Sequence, residues 1–303
     1  MKSMGTHSGF HWYTLYQSCG RRFYFRSILG YKPRFTPPPL INGTAFHLGK
    51  ETFYSTASEA KALKAMSLYL TEARGEIEFN EDFAIMRARL PLMLSSWIKA
   101  HGASDLKHYT FLALEREFSI PFPNGFVATV RPDAVVRDSN GAIFILETKT
   151  SGASAALTET AVSFGDQATV QLAAARRAFP RARIEGVIPD ILFWLKSSRS
   201  AREIRCIRGA LVTRTREQTD EWERSTASLL SEISQKALAL EHGAEPVTLF
   251  RRNTEFCVSY NKACEYLHIC RESLDIPFGR APHGFTFDTV LRMNVRVKKG
   301  KKS

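Results

Sequence analysis

The sequence lacks any long hydrophobic run and any cleavable secretion signal. No apolar stretch approaches the roughly 20 residues that a transmembrane helix needs, and the stretch from Met1 to Arg22 has no uninterrupted apolar segment of the secretory type. Mean hydropathy is −0.20 and 24% of the residues are charged, which excludes a fibrous or wholly disordered chain. We therefore expect a cytoplasmic protein without a membrane partner.

Acidic residues are scarce relative to basic ones. The chain has 42 Lys and Arg against 30 Asp and Glu, so its net charge is +12 and its pI is near 9.6. This surplus favours a polyanionic partner, with nucleic acid first and an anionic membrane second. No amphipathic helix pairs a Lys/Arg face with a Trp/Phe face, so a peripheral membrane protein ranks last. No GxxxxGK[ST] loop is present, so ATP-driven unwinding would require a helicase or recombination partner.

Arginines and aromatic residues alternate over residues 21–26 (RRFYFR). Two interpretations stay open here. The rings could stack on the bases of a single strand while the arginines contact phosphates, or they could form a buried face whose arginines reach solvent. A basic tail, VKKGKKS, is expected to be a solvated end that adds nonspecific affinity.

The order of the elements predicts one α/β domain. Helical patterns are followed by three β-rich stretches over 108–120, 125–138 and 142–150, then by a helix over about 160–179, two strands and a long amphipathic helix. A mixed central sheet flanked by helices fits this order best. The predicted domain covers 1–303, with an N-terminal segment 1–40, a catalytic core 41–245, and a cysteine-rich C-terminal segment with the basic tail, 246–303.

The hairpin between the second and third stretches carries most of the chemistry. Arg131-Pro132-Asp133 is predicted on its first strand, Glu147-Thr148-Lys149 ends its second, and Asn140-Gly141 forms the turn. Residues two apart share a face of a strand, so Glu147 and Lys149 project together and Asp133 can lie beside them. Converging carboxylates favour a divalent cation, and a nearby lysine can act on water or on a phosphate. The alternative is an exposed ion pair on a surface hairpin.

The hairpin resembles the PD-(D/E)xK nuclease superfamily, in which Pro-Asp is followed on the next strand by Glu-x-Lys. The resemblance implies a restriction-endonuclease-like core. It implies that Asp133 and Glu147 bind Mg²⁺ or Mn²⁺, with the backbone carbonyl of Thr148 as a further ligand. It also implies that Lys149 orients or activates the attacking water.

Two further motifs are similar to those of the RecB-like branch of this superfamily. Gly43 and His47 fit Gly-x-x-x-His, which implies that His47 is a third metal ligand. Gln167 fits the start of Gln-x-x-x-Tyr, which implies that it positions Lys149 or the substrate. The chain departs from that pattern at the tyrosine position, where it has Gln171.

The cysteines number five, which argues against a secreted disulfide scaffold. Cys257, Cys264 and Cys270 form a Cys-x6-Cys-x5-Cys array, Cys19 lies far upstream, and Cys206 is expected to fill the core. The one-plus-three layout is similar to that of RecB-like nucleases with an iron–sulfur staple, including AddB-type and CRISPR-adaptation nucleases. It implies a 4Fe-4S cluster that joins the two ends of the chain, with zinc as the alternative and plain burial as a third interpretation.

The combined expectation is a metal-dependent DNA nuclease that leaves 5′-phosphate ends. It would act as an exonuclease or on single strands, in DNA repair, recombination, phage DNA processing or defence. The alternative is a non-catalytic, cysteine-stapled nucleic-acid-binding subunit of a repair or recombination complex, which predicts salt-sensitive binding without metal-dependent turnover. A homo-oligomer is compatible with either hypothesis.

Overall fold

A five-stranded mixed sheet supports the candidate site in a computed structural model, which describes residues 11–123, 125–151, 155–193, 204–259, 262–271 and 281–287. The strands, in chain order, are β1 Tyr31–Pro33, β2 Thr110–Leu114, β3 Phe118–Pro121, β4 Val127–Val130, β5 Ala134–Arg137, β6 Ile143–Ser151, β7 Ile184–Phe193, β8 Arg205–Arg208, β9 Val258–Ser259, β10 Lys262–Ala263 and β11 Phe285–Phe287.

Helices precede the sheet and follow it along the chain. They are α1 His11–Ser18, α2 Gly20–Phe23, α3 Pro38–Thr56, α4 Glu59–Glu72, α5 Asn80–Trp97, α6 Ala103–His108, α7 Ala155–Phe164, α8 Asp166–Ala178, α9 Arg216–Glu241, α10 Pro246–Leu249 and α11 Leu267–Arg271. Short π- or 3₁₀-helical turns cover Tyr24–Ile28, Ala73–Glu76, Ile98–Gly102 and Thr254–Phe256. None of the described helices is both long enough and apolar enough to cross a bilayer.

The five strands follow the order β2-β5-β6-β7-β8. Strands β6 and β7 are parallel, and the other neighbouring pairs are antiparallel. The predicted hairpin is confirmed as β5–β6. The Asp138 carboxylate accepts the backbone N–H groups of Asn140 and Ala142 at its turn, and Gly141 there has φ +82°. The predicted fold class, a mixed central sheet flanked by helices, is also confirmed.

Alternation along β6 directs its side chains to two environments. Leu146 packs in the apolar core with side chains such as Phe46 of α3 and Leu94 of α5. The next residue, Glu147, lies on the other face of the strand, where it contacts Gln167 of α8. Neighbouring residues of one strand therefore reach helices that are far apart in the chain.

The first two predicted strands are each divided in the structure. The stretch over 108–120 forms β2 and β3, with Glu115 at φ +42° in the break. The stretch over 125–138 forms β4 and β5, because Pro132 has no N–H to donate to a ladder. Asp133 therefore lies just before β5, and its predicted place within a strand was wrong.

The predicted helix over about 160–179 was also wrong as one element. Helix α7 ends at Phe164 and helix α8 begins at Asp166, with Gly165 between them in an extended conformation. A side chain at Gly165 would meet the backbone oxygen of Ala161 at 2.6 Å, so the junction requires glycine. The break places the first turn of α8, with Gln167, beside β6.

The chain divides into two compact units. One unit comprises Phe35–Phe118 and Val130–Thr219, and it contains the sheet. The other comprises the described parts of Met1–Arg34, Ser119–Thr129 and Asp220–Ser303, so segments from both ends of the chain lie in one unit. The predicted single domain over 1–303 stays a prediction.

The segment over residues 21–26 lies in the core of the second of these units. Phe23, Tyr24 and Phe25 are at most 5% exposed, and both Phe23 and Tyr24 stack on Phe250. These rings cannot serve as a stacking surface for nucleic-acid bases. The buried interpretation of the rings is confirmed, but Arg21 is itself 6% exposed and donates to the backbone oxygen of Phe250, so its predicted contact with solvent was wrong. The predicted basic tail lies outside the described residues.

An ionic network with buried carboxylates joins β7 and β8 to α6, within the sheet-containing unit. Arg208 donates to both carboxylate oxygens of Asp105 and to both of Asp190, at distances of 2.7 to 2.9 Å. Trp97 of α5 also donates to Asp190, at 3.0 Å. Because every carboxylate oxygen is paired, the network fixes the end of α5 to the sheet.

Candidate active site

Helix α3 carries two side chains of the candidate site. Pro37 precedes the helix and Pro38 is its first residue, a position where a missing N–H costs no hydrogen bond. His47 and Lys50 follow three residues apart, and residues at this spacing share one side of a helix. The Lys50 side chain is 2% exposed, so its ammonium group requires a buried partner.

His47 lies between two carboxylates. Its Nδ1 atom is 2.9 Å from Oδ1 of Asp133 and 3.3 Å from Oε1 of Glu115. The ligand atoms of these three residues all lie within 4.8 Å of one another, which holds for no other group of three histidine, cysteine or acidic residues in the described ranges. Carboxylate oxygens with an imidazole suit a divalent cation such as Mg²⁺ or Mn²⁺.

Glu115 reaches this cluster from a strained backbone. Its φ of +42° is rare for a residue with a side chain and costs free energy. Its N–H donates to the backbone oxygen of Asp133 at 3.0 Å, which ties the break after β2 to the start of β5. The sequence alone does not single out Glu115, because acidic residues two apart on a strand, as Glu115 and Glu117 are, are also typical of a solvated strand face.

Burial and neighbouring charges have opposite effects on the pKa values of the cluster. Burial alone would raise the pKa of Asp133, but the charges of His47 and Lys50 hold it well below its usual range. Burial disfavours the charged ring of His47, yet Asp133 and Glu115 raise the pKa of His47 to about 10. Burial also raises the pKa of Glu115, against the effect of His47. Asp133 is therefore the fixed negative charge of the cluster.

Lys50 is the second partner of Asp133, and sequence reasoning missed it. Its Nζ donates to Oδ2 of Asp133 at 2.7 Å and also to the hydroxyl of Thr148. The ammonium lies 5.3 Å from the ring centre of Trp97, which provides a further favourable contact. Oδ1 of Asp133 faces His47 and Oδ2 accepts from Lys50, so each oxygen of the carboxylate contacts a different side chain of α3.

Glu147 forms the second half of the site. Its Oε1 accepts from Lys149 at 2.7 Å and from Gln167 at 2.6 Å, and its Oε2 accepts from Gln171 at 2.6 Å. Burial disfavours the ammonium of Lys149, but the charge of Glu147 outweighs it and raises the Lys149 pKa. Lys149 is therefore a cation, suited to stabilising negative charge on a phosphate or to orienting water.

Thr148 connects the two halves. Its N–H donates to Oδ2 of Asp133 at 2.8 Å, and its hydroxyl accepts from Lys50. Glu147 and Lys149 flank it in the chain, so the position of Asp133 is fixed relative to both. The predicted use of the Thr148 carbonyl as a metal ligand stays a prediction.

Comparison with known proteins assigns the chain to a family. The family model of the PD-(D/E)XK nuclease superfamily matches residues 12–271, which is most of the chain. The chain belongs to this superfamily. No curated protein matches it. A solved structure described as the crystal structure of SSO0001 is similar at 17% identity, covering 63% of this chain and 72% of that chain with a TM-score of 0.25.

The nuclease motifs of the sequence form two adjoining groups. His47 and Asp133 lie together with Glu115, whereas Glu147 lies with Lys149 and Gln167. Gln171, at the position where the RecB-like motif has tyrosine, is fully buried and contacts Glu147 as Gln167 does. Its role could be found from sequence only through its spacing of four residues from Gln167, which places both on one side of α8.

The four cysteines of the predicted cluster line one cavity in the unit that contains both chain ends. Cys19, Cys257, Cys264 and Cys270 share its lining with the arginines Arg21, Arg22 and Arg252. No set of three metal-binding side chains within 4.8 Å includes a cysteine in the described residues, so the 4Fe-4S cluster is not supported by a preformed ligand set. Cys206 is half-buried and packs against the apolar core of the sheet, as predicted.

Proposed function

We propose that this superfamily member is a divalent-metal-dependent deoxyribonuclease that hydrolyses phosphodiester bonds. The observation that carries the proposal is the buried Asp133, which lies between His47 and Lys50 and next to the Glu147–Lys149 pair. A surface ion pair would not require Asp133, Lys50 and Glu147 to be buried together. The net charge of +12 suits a polyanionic substrate such as DNA.

The residues present fit a divalent metal ion. His47 Nδ1 is buried and lies 2.9 Å from Asp133 Oδ1 and 3.3 Å from Glu115 Oε1, so a single bound ion would contact all three atoms. His47, Asp133 and Glu115 would hold the ion, with Glu147 and the Thr148 carbonyl as the further ligands that the sequence predicts. The ion would supply Lewis-acid activation of the phosphodiester and of water.

The remaining groups of the site orient the attacking water, fix the Glu147 carboxylate and stabilise charge on the phosphate. Lys149, held as a cation by Glu147, orients the attacking water or stabilises the charge that develops on the phosphate. Gln167 and Gln171 each donate to Glu147 and fix its carboxylate on the face that Lys149 shares. We propose 5′-phosphate products and exonucleolytic or single-strand cleavage, in repair, recombination, phage DNA processing or defence.

End-labelled single- and double-stranded DNA, incubated with Mg²⁺, Mn²⁺ or EDTA, tests this proposal. We expect cleavage with either metal ion and none with EDTA, and the pattern of labelled products gives the polarity. Salt-sensitive binding without any metal-dependent turnover would contradict the nuclease and would support the non-catalytic DNA-binding subunit instead.

A second metal centre at the four cysteines is part of the proposal. Their common cavity and the three arginines that share it suit an anionic iron–sulfur cluster, and the backbone N–H of Asn253 donates to the sulfur of Cys19 at 3.4 Å. Burial raises the pKa of the Cys264 thiol to about 11 and also raises that of Cys270, so without a metal these groups are neutral. Metal binding would deprotonate them and link the two ends of the chain.

Metal analysis of anaerobically purified protein distinguishes the alternatives. We expect a brown protein with about four iron and four sulfide per chain, whose visible absorbance fades on chelation. Colourless protein with stoichiometric zinc would contradict the cluster and would leave the nuclease proposal untouched, because the two centres share no residues.

A further inference from the structure

A cavity continues from the catalytic pair into the sheet-containing unit. It has a volume of about 200 Å³, and Glu147 and Lys149 form its polar end. Its apolar wall is formed by Ala161, Val162, Ala168 and Val187 of α7, α8 and β7, and Thr150, Ser151, Thr158, Gln167 and Gln171 add polar groups to the lining. The nuclease chemistry uses the polar groups of Glu147, Lys149, Gln167 and Gln171, so the apolar wall needs another explanation.

Small side chains keep this cavity open. Ala161 of α7 and Ala168 of α8 line it with single methyl groups. Two hydroxyls, of Ser151 and Thr158, lie at its edge 2.7 Å from each other. A lining that combines apolar side chains with convergent polar groups is the usual construction of a small-molecule site, in which the polar groups fix orientation.

The size of the cavity fits one flat ring system. An apolar cavity of about 150 Å³ is large enough to hold a benzene ring. In a nucleic acid, the groups next to a phosphate are a sugar and a base, and a base has flat apolar faces with a polar edge. A phosphodiester held at Lys149 therefore brings a base within reach of this wall.

We propose that the cavity is a subsite for one unpaired nucleobase next to the cleaved phosphate. The inference rests on the proposed nuclease function and adds that the nucleotide next to the cleaved phosphate must be unpaired. A base that enters the cavity cannot stack and pair within a duplex, so the substrate at this position is a single strand, a frayed end or an extruded nucleotide. Phe164, at the end of α7, is 84% exposed. An exposed aromatic ring of this kind can stack on a neighbouring base.

Filling the cavity tests the subsite. The variant Ala161→Trp is compared with Ala178→Trp, which adds the same side chain at the exposed end of α8. Both are assayed on a single-stranded oligonucleotide and on a short oligomer of tetrahydrofuran abasic units, a small diester without a base or any aromatic ring. We expect the ratio of kcat/KM for the oligonucleotide to that for the small diester to fall at least about tenfold in Ala161→Trp, because base contacts are lost, and not in Ala178→Trp.

Single abasic positions in the oligonucleotide provide a second measurement that needs no variant. Wild-type cleavage should fall several-fold when the abasic site is next to the cleaved bond, and Ala161→Trp should not respond to it. An unchanged ratio in Ala161→Trp, or equal cleavage of all abasic substrates by the wild type, would overturn the subsite. If the wild type hydrolyses neither the oligonucleotide nor the small diester, the nuclease proposal itself fails, and the subsite falls with it.

Discussion

Asp133 is the residue at which both halves of the site meet. One oxygen faces His47, the other is held by Lys50 and by the amide of Thr148, and the side chain is 4% exposed. A carboxylate so deeply buried keeps its charge only where cations or N–H groups surround it. The fixed charge of Asp133 is therefore a property of its neighbours, two of which come from α3.

Glu115 should be as necessary for cleavage as Asp133. Its carboxylate completes the group around His47, and its backbone is held in a costly conformation to place it there. We expect Glu115→Gln to lower Mg²⁺-dependent cleavage at least about a hundredfold and to weaken Mn²⁺ binding in calorimetric titration. Glu117→Gln, an exposed change two residues away, is the control. If Glu115→Gln bound Mn²⁺ as tightly as the wild type does, Glu115 would be excluded as a metal ligand.

Lys50→Met tests the buried ion pair. Removing one partner of a buried pair leaves a charge uncompensated, so we expect a loss of about 3–5 kcal/mol in the free energy of unfolding in urea. Exposed Lys64→Met should change it by less than about 0.5 kcal/mol. The Asp133 pKa is lowered in the folded state, so its contribution is present above its unfolded pKa and is lost as the pH falls.

The difference between wild type and Lys50→Met should therefore be largest at neutral pH and should shrink below about pH 4. A difference that is independent of pH between 3 and 7 would mean that Lys50 stabilises the fold without acting through a carboxylate.

The residues of the site differ in how readily the sequence predicts them. Asp133, Glu147 and Lys149 lie on one hairpin, so a short spacing rule is enough to place them together. Lys50 is 83 residues from Asp133, and a lysine within a helix is ordinarily a solvated residue. Only packing shows that the helix buries it.

At the scale of elements, the breaks within strands and helices were the hardest to predict. Pro132 signals a break, but the apolar residues on both sides of it resemble one continuous strand. The junction at Gly165 is fixed by its close approach to the backbone oxygen of Ala161, one turn earlier, which no propensity records. Apart from these divisions, the order of helices and strands from β2 to α9 was predicted correctly, because hydrophobic periodicity over longer windows determines it.

Gly165→Ala should disturb both stability and cleavage. The new methyl group would meet the backbone oxygen of Ala161 at 2.6 Å, so the junction must shift, and Gln167 two residues later must move from Glu147. We expect a loss of about 1–3 kcal/mol in urea unfolding together with lower activity. At Gly43 in α3, a methyl group meets no atom within 4 Å, so Gly43→Ala should stabilise by about 0.5–1 kcal/mol. Equal stability of the two variants would contradict this view of the junction.

At the scale of the whole molecule, segments from both ends of the chain share one unit and its cysteine-lined cavity. From the sequence, only the one-plus-three cysteine layout predicted that segments from both ends of the chain lie together. We expect Cys19→Ser to lose the visible absorbance and to lower the Tm, because the cluster then loses a ligand from the N-terminal segment. Cys206→Ser should keep its iron, since Cys206 lies outside the cavity. Full iron content in Cys19→Ser would remove Cys19 from the ligand set.

The most direct test of the nuclease site measures cleavage and binding of one labelled oligonucleotide by Lys149→Ala in Mg²⁺, with exposed Lys107→Ala as the control for lost charge. Because Lys149 acts on the reacting phosphate or water, we predict a loss of cleavage of at least about a hundredfold with a Kd within about threefold of wild type. Lys107→Ala should cleave as the wild type does. Cleavage by Lys149→Ala at the wild-type rate would contradict the assignment of this site.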